Sequence, residues 1–198
     1  KNMENKVEIK KEKSIVQLWL ILLIITAIAG LILGLVYNVT KDSIANQEKL
    51  ANENAMKALL TDADSFSKKE VNLTETVLEV NEGKKGSESV GYAIKVASKG
   101  YGGQIQLIVG IDKAGKLAGI QILSQSETAG LGANCKNPEF YGQYAGKSID
   151  KDIEVVKTEG NDSQIKAITG ATITSKGVTN GVNDAIKFYK ENLQGGNK

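Results

Sequence analysis

Side-chain hydroxyls gather in one short stretch of the chain, Ile168-Thr169-Gly170-Ala171-Thr172-Ile173-Thr174-Ser175. Thr169, Thr172, Thr174 and Ser175 each offer an O–H, and Gly170 and Ala171 leave the approach to Thr172 unobstructed. Directly afterwards Val178, Val182, Ala185, Ile186 and Tyr189 recur at helical spacing. The hydroxyls therefore stand at the start of an amphipathic helix, with Thr174 or Ser175 expected as its N-cap. A helix start carries unpaired N–H groups and a partial positive charge, which makes it a natural seat for a phosphate. An ordinary hydroxyl-capped turn from strand to helix would use the same residues, and by themselves they favour that plainer role.

What the chain lacks narrows the chemistry further. Its 198 residues contain no His and a single Cys, Cys135. A Ser-His-Asp triad, a Cys/His zinc site, a four-Cys iron–sulfur cluster and an internal disulfide are excluded for this chain acting alone. No catalytic residue and no metal site is expected. Redox work would fall to a bound organic cofactor or a partner, and Cys135 reads as a packed or incidental thiol with no His to activate it. A formal charge of +2 with 24% charged residues gives no footprint for nucleic acid.

Two glycine-rich loops lie upstream. Gly100-Tyr101-Gly102-Gly103 lacks the Lys-Ser/Thr of a phosphate-binding P-loop and precedes a strand, not a helix. Glu127-Thr128-Ala129-Gly130-Leu131-Gly132 is too irregular for a dinucleotide fingerprint. Glycines so placed serve tight turns, or let the backbone come close to a flat ring. Phe140, Tyr141 and Tyr144, near the only proline, Pro138, either pack on a sheet or wall a cleft.

The elements that must hold these loops begin outside the domain. Residues 1–13 form a lysine-rich tail, and residues 14–37 a transmembrane helix, since Ile15 to Tyr37 runs almost without charge for the ~20 residues a bilayer requires. A cleaved signal peptide would have a shorter apolar core and a small-residue cleavage site, so a signal anchor fits better. Lysines crowd the N-terminal flank, which puts the tail in the cytoplasm, the main domain outside the cell membrane, and Trp19 near the cytoplasmic headgroups. Thr26, Gly30 and Gly34 either admit a second helix or reflect the commonness of glycine in membrane spans. Residues 38–67 read as a juxtamembrane helix and linker, a stalk or a helix laid on the domain surface, ending in a solvated turn at Asp62-Ala63-Asp64-Ser65.

Residues 68–198 form the main domain. Strands are expected over Val71–Val80, Gly91–Ala97, Gln104–Ile111 and Leu117–Leu123, with a polar loop from Glu82 to Ser89 and short strands over Ile153–Lys157 and Gln164–Ile168. Short connections between successive strands imply an antiparallel sheet. The class is α+β: an antiparallel-sheet domain with packed helices behind one N-terminal transmembrane helix.

Thr169-Gly170-Ala171-Thr172, with Ile173-Thr174-Ser175 after it, resembles the flavinylation motif of the FMN-binding domain family. Gly100 to Gly103, the loop Glu127 to Gly132 (similar to the family's Glu-Thr-Pro-Gly-Leu-Gly) and the membrane anchor occur in the family's order. Within the family the chain looks most like the G subunits of Rnf-type electron transport complexes, with the C subunits of sodium-pumping quinone reductases as the alternative. The resemblance implies FMN joined by a phosphodiester to Thr172, installed from FAD by a separate flavin transferase. It places Thr174, Ser175 and the helix start on the phosphate, with Thr169, Gly170 and Ala171 as the other cofactor-binding residues of the motif. Glu127, Thr128, Gly130 and Leu131 would lie along the ring, with Tyr101 and Gly102 beside it. It further implies an electron carrier, without a substrate site of its own, inside a ferredoxin:NAD oxidoreductase that moves Na+ or H+ with its other membrane subunits. A stand-alone extracytoplasmic flavin carrier and a flavin-free binding module are the other functions considered. Ala129 stands where the family has Pro, and Lys166 where an Asp is common.

Overall fold

The computed structural model describes residues 14–194, so the lysine-rich tail lies outside the described residues. Two compact units meet between Glu48 and Lys49. The first is the greater part of helix α1 (Ile15–Leu59), a 45-residue helix whose apolar window has a mean hydropathy of 2.8 and is 0% buried within the protein. The uncharged run from Ile15 to Tyr37 at its start is long enough for a single-pass membrane helix.

The second unit is built on a five-stranded antiparallel sheet in the order β1-β2-β3-β4-β5. Its strands are β1 (Ser65–Lys68), β2 (Val77–Lys85), β3 (Glu88–Lys99), β4 (Gln104–Asp112) and β5 (Leu117–Ser124). β3 to β5 fall where the period-two alternation put them. The first strands do not. The expected Val71–Val80 strand begins only at Val77, whose N–H is captured by the Thr74 hydroxyl at 3.1 Å. The expected Glu82–Ser89 loop is instead paired backbone on either side of a turn at Gly86, φ +60°. Polar Asn81 to Lys84 lie between β3 and the short edge strand β1, which also takes up Ser65 from the anticipated turn. Ladder hydrogen bonds come from the backbone, and a strand next to an edge tolerates polar side chains.

Helix α3 (Thr172–Asn192) covers one face of the sheet, lying over β3 and β4. Val178, Val182, Ala185, Ile186 and Tyr189 are buried against Ile94, Val96, Leu107 and Val109, as the helical spacing requires. Each fully buried Val, Leu or Ile stabilises the fold by about 1.5–3 kcal/mol. Gly177 lets the helix start press on the end of β3, for a Cβ there would sit 2.6 Å from the Lys99 carbonyl oxygen. The opposite face of the sheet is covered by the last turns of α1, where Ala55, Met56 and Leu60 pack on Ala93 and Ile108. Those turns are a second small core, more than the stalk or surface helix their thin apolar stripe suggested.

Between β5 and α3 the chain forms a 3-10 turn (Gly132–Lys136), the short helix α2 (Pro138–Tyr141), a second 3-10 turn (Gly142–Tyr144), and strands β6 (Glu154–Val156) and β7 (Gln164–Lys166). β6 and β7 pair in parallel. Side-chain amides close both outer edges of this small ribbon. Asn183 of α3 accepts the Ile153 N–H at 2.9 Å and donates to its carbonyl at 3.0 Å. Gln143 accepts the Lys166 N–H at 2.7 Å and donates to its carbonyl at 3.2 Å. The ribbon is thereby fixed at the point where β7 runs into Thr169.

Candidate functional site

Three loops converge at the N-terminal end of α3: residues 100–103 between β3 and β4, residues 125–132 after β5, and residues 168–174 after β7. They enclose a cleft of about 540 Å³ lined by Tyr101, Glu127, Thr128, Leu131, Gly132, Gly170, Ala171, Thr172, Ile173 and Thr174. Pockets of roughly 300–1,000 Å³ hold small organic ligands and cofactors.

Glu127 joins the loops. Its side chain, 8% exposed, accepts the Gly102 N–H on Oε1 at 2.9 Å and the Thr174 hydroxyl on Oε2. Gly100 and Gly132 make the slot that admits it, since a Cβ at either would lie 2.3 Å and 2.7 Å from its oxygens. Hydrogen bonds from the Leu131 and Ala133 N–H groups to the Thr128 carbonyl close the turn that follows. The turn forms with Ala129 in place of a proline.

α3 begins at Thr172, with Ala171 in the N-cap position and no side-chain capping bond. The expected caps are engaged elsewhere. Thr174 donates to Glu127, and the buried Ser175 hydroxyl donates to the Ala171 carbonyl and accepts the Ile168 N–H at 2.9 Å. Ser175 therefore ties the loop from beneath. N–H groups in the first turn of a helix have no intrahelical partner, so those of Thr172, Ile173 and Thr174 remain open. The Thr172 hydroxyl lines the cleft and makes no hydrogen bond among the described residues.

Tyr101, Leu131 and Ile173 stand at this cleft 71%, 44% and 57% exposed. Beyond α1, the other exposed large apolar side chains among the described residues are Leu73 and Leu78. An open helix start beside a free hydroxyl, with apolar side chains offered to a flat face, fits a flavin mononucleotide. The phosphate would meet the N–H groups, and the ring would meet Tyr101, Leu131 and Ile173.

Of the residues singled out from sequence, Tyr101, Glu127, Thr128, Leu131, Gly170, Ala171, Thr172 and Thr174 line this cleft together. Gly102 contributes its N–H to Glu127, and Gly130 its carbonyl to the Asn134 amide at 3.1 Å. Ser175 is internal. Thr169 faces away, onto a second cleft of about 430 Å³ shared with Asn134, Gln143, Glu159 and Lys166. Gly132 and Ile173 were not singled out. Ile173 could have been, as an apolar residue off the buried Val178/Val182 stripe.

The remaining candidates are structural. Cys135 is sealed in the core, its thiol pushed up first by burial and then by the negative charge of Glu127. Phe140 and Tyr144 meet edge to face at 5.9 Å in the core. Burial pushes the Tyr144 phenol up strongly, and its hydroxyl bonds Thr179 at 2.8 Å.

Residues 100–187 match the FMN-binding domain family. The chain is 38% identical over 178 residues to the G subunit of the proton-translocating ferredoxin:NAD(+) oxidoreductase complex of Clostridium ljungdahlii, covering 90% of this chain and 93% of that one. It is 36% identical over 204 residues to the G subunit of the Na(+)-translocating ferredoxin:NAD(+) oxidoreductase complex of Acetobacterium woodii, covering 95% and 98%. The fold is shared with the C subunit of the Na(+)-translocating NADH-quinone reductase of Parabacteroides distasonis, at a TM-score of 0.57 and 19% identity over 74% of this chain and 94% of that one. At 38% and 36% identity over nearly the full length of the first two, the chain belongs to the family of G subunits of ion-translocating ferredoxin:NAD(+) oxidoreductase complexes and carries that family's FMN-binding domain.

Proposed function

We propose that this chain is a membrane-anchored electron carrier holding FMN covalently on Thr172, and that it relays electrons inside an ion-translocating ferredoxin:NAD oxidoreductase complex. One observation carries the attachment: among the hydroxyls of the loop, that of Thr172 alone both lines the cleft and has no hydrogen-bond partner among the described residues. Thr169 is on the other side of the loop, and Thr174 and Ser175 are engaged.

The flavin supplies one- and two-electron transfer chemistry, so the protein need only bind, orient and exclude water. The open N–H groups at the start of α3 neutralise the phosphodiester. Gly170, at φ +76°, turns the backbone so that Thr172 enters the cleft while Thr169 leaves it. Tyr101, Leu131 and Ile173 cover the ring faces, and Glu127 holds the loops at a fixed separation. The cytoplasmic tail, the single span over residues 14–37, the linker over 38–67 and the extracytoplasmic domain over 68–198 are part of the same proposal. So are the flavin transferase that matures the chain and its partnership with the rest of the complex.

Co-expression with a flavin transferase tests it. Intact mass should rise by one FMN phosphodiester, and in-gel fluorescence should survive denaturation. Thr172→Ala should lose both. Retained fluorescence in that variant would move the attachment, and a colourless wild-type chain would favour a flavin-free binding module.

A further inference from the structure

Glu127 contributes a charge as well as a shape. Two donors, the Gly102 N–H and the Thr174 hydroxyl, point one at each oxygen of its carboxylate. Ion pairs among the described residues join Lys84 to Glu82, Lys113 to Glu88 and Lys166 to Glu159, and none reaches Glu127. The positive element beside it is the first turn of α3, where Thr174 is the third residue. A helix end offers about half an elementary charge, which a phosphodiester at the same end would also draw on. The cleft wall is left net negative.

We infer that Glu127 sets the redox potential of the cofactor held in this cleft to a low value, by keeping an uncompensated negative charge in its wall. This rests on the FMN assignment above. Each electron that arrives adds negative charge beside one already present, and a carboxylate only 8% exposed is screened by solvent far less than one on open surface. Reduction is disfavoured, and the reduced carrier becomes a stronger donor to the next centre.

Charge can be separated from shape. Glu127→Gln keeps the outline of the side chain: its Oε1 can accept the Gly102 N–H, and its Nε2 can donate to the Thr174 hydroxyl, which is both donor and acceptor. Glu127→Asp keeps the charge and shortens the reach. Full-length protein should be loaded with FMN by co-expression with a flavin transferase and its midpoint potential measured by spectroelectrochemical titration. The potential should rise in flavin-loaded Glu127→Gln and stay near wild type in flavin-loaded Glu127→Asp. An unmoved potential in a loaded Glu127→Gln overturns the inference, as does an Asp variant that shifts as far as the Gln variant. A Glu127→Gln chain that fails to load while wild type loads also overturns it, because Glu127 would then be a binding residue before a charge-setting one. Wild type without covalent flavin is a separate result: it defeats the FMN assignment, and the inference with it.

Discussion

Two clefts share the loop of residues 168–174 as a common wall, and each is lined by threonine and glutamate. On the Thr172 side the glutamate is Glu127, buried and bonded to two loops, and the rim is apolar. On the Thr169 side there are two glutamates, Glu139 and Glu159, the latter 84% exposed in its side chain and paired with Lys166 at 2.5 Å. The first cleft is rimmed by Tyr101, Leu131 and Ile173 and tied by a buried carboxylate, whereas the second is a solvated groove lined by Asn134, Asn137, Gln143, two glutamates and Lys166. On the proposal that Thr172 carries FMN, burial, fixed geometry and an apolar lining together separate its hydroxyl from that of Thr169. Exchanging features between the two sides is therefore the direct way to test that contrast.

The largest effect should come from the hydroxyls themselves. Thr172→Ala is expected to abolish the FMN mass increment and Thr169→Ala to leave it intact, read by intact mass after co-expression with a transferase. Equal losses in the two variants would erase the distinction between the clefts. Next comes the buried carboxylate. Glu127→Ala leaves the Gly102 N–H unsatisfied and empties the slot between Gly100 and Gly132. It should cost the detergent-solubilised chain about 1–3 kcal/mol in denaturant unfolding. A value near zero would mean the two loops stand without their tie.

The same contrast explains what the sequence could tell. α3 was legible because Val178, Val182, Ala185, Ile186 and Tyr189 keep one period and all face the core. β3 to β5 alternate for the same reason. β1 and the true start of β2 were not legible, because paired backbone next to an edge places little demand on side chains. At the site, the motif around Thr172 was readable as a resemblance. What Glu127 does was not, because its partner Thr174 lies 47 positions away and their meeting depends on β5 and α3 being brought together by the core. The N-cap expectation failed for a related reason. Ser175 and Thr174 have the chemistry of caps, but tertiary partners, Ile168 and Glu127, claimed their hydroxyls first.

In the wall of the Thr169 cleft sits Gln143, whose amide pairs with both backbone polar groups of Lys166 just before the shared loop. Gln143→Ala should speed hydrogen exchange at the Lys166 amide severalfold and cost about 1 kcal/mol, since water can replace part of what a half-exposed amide provided. Unchanged exchange there would show that pairing with β6 alone holds the ribbon.

The smallest effect is expected on the Thr169 side. The Lys166–Glu159 pair is short, but both side chains are largely in water, 48% and 84% exposed, so screening and the entropy of holding two long side chains offset most of the attraction. Lys166→Ala should change unfolding free energy by no more than about 0.5 kcal/mol, with little further response to added salt. The backbone of Lys166 stays held by Gln143 whatever its side chain is, so the loop leading to Thr172 should keep its place. A loss as large as that in Glu127→Ala would mean that the ion pair organises its cleft, and that the contrast between a built site and a solvated groove had been drawn at the wrong wall.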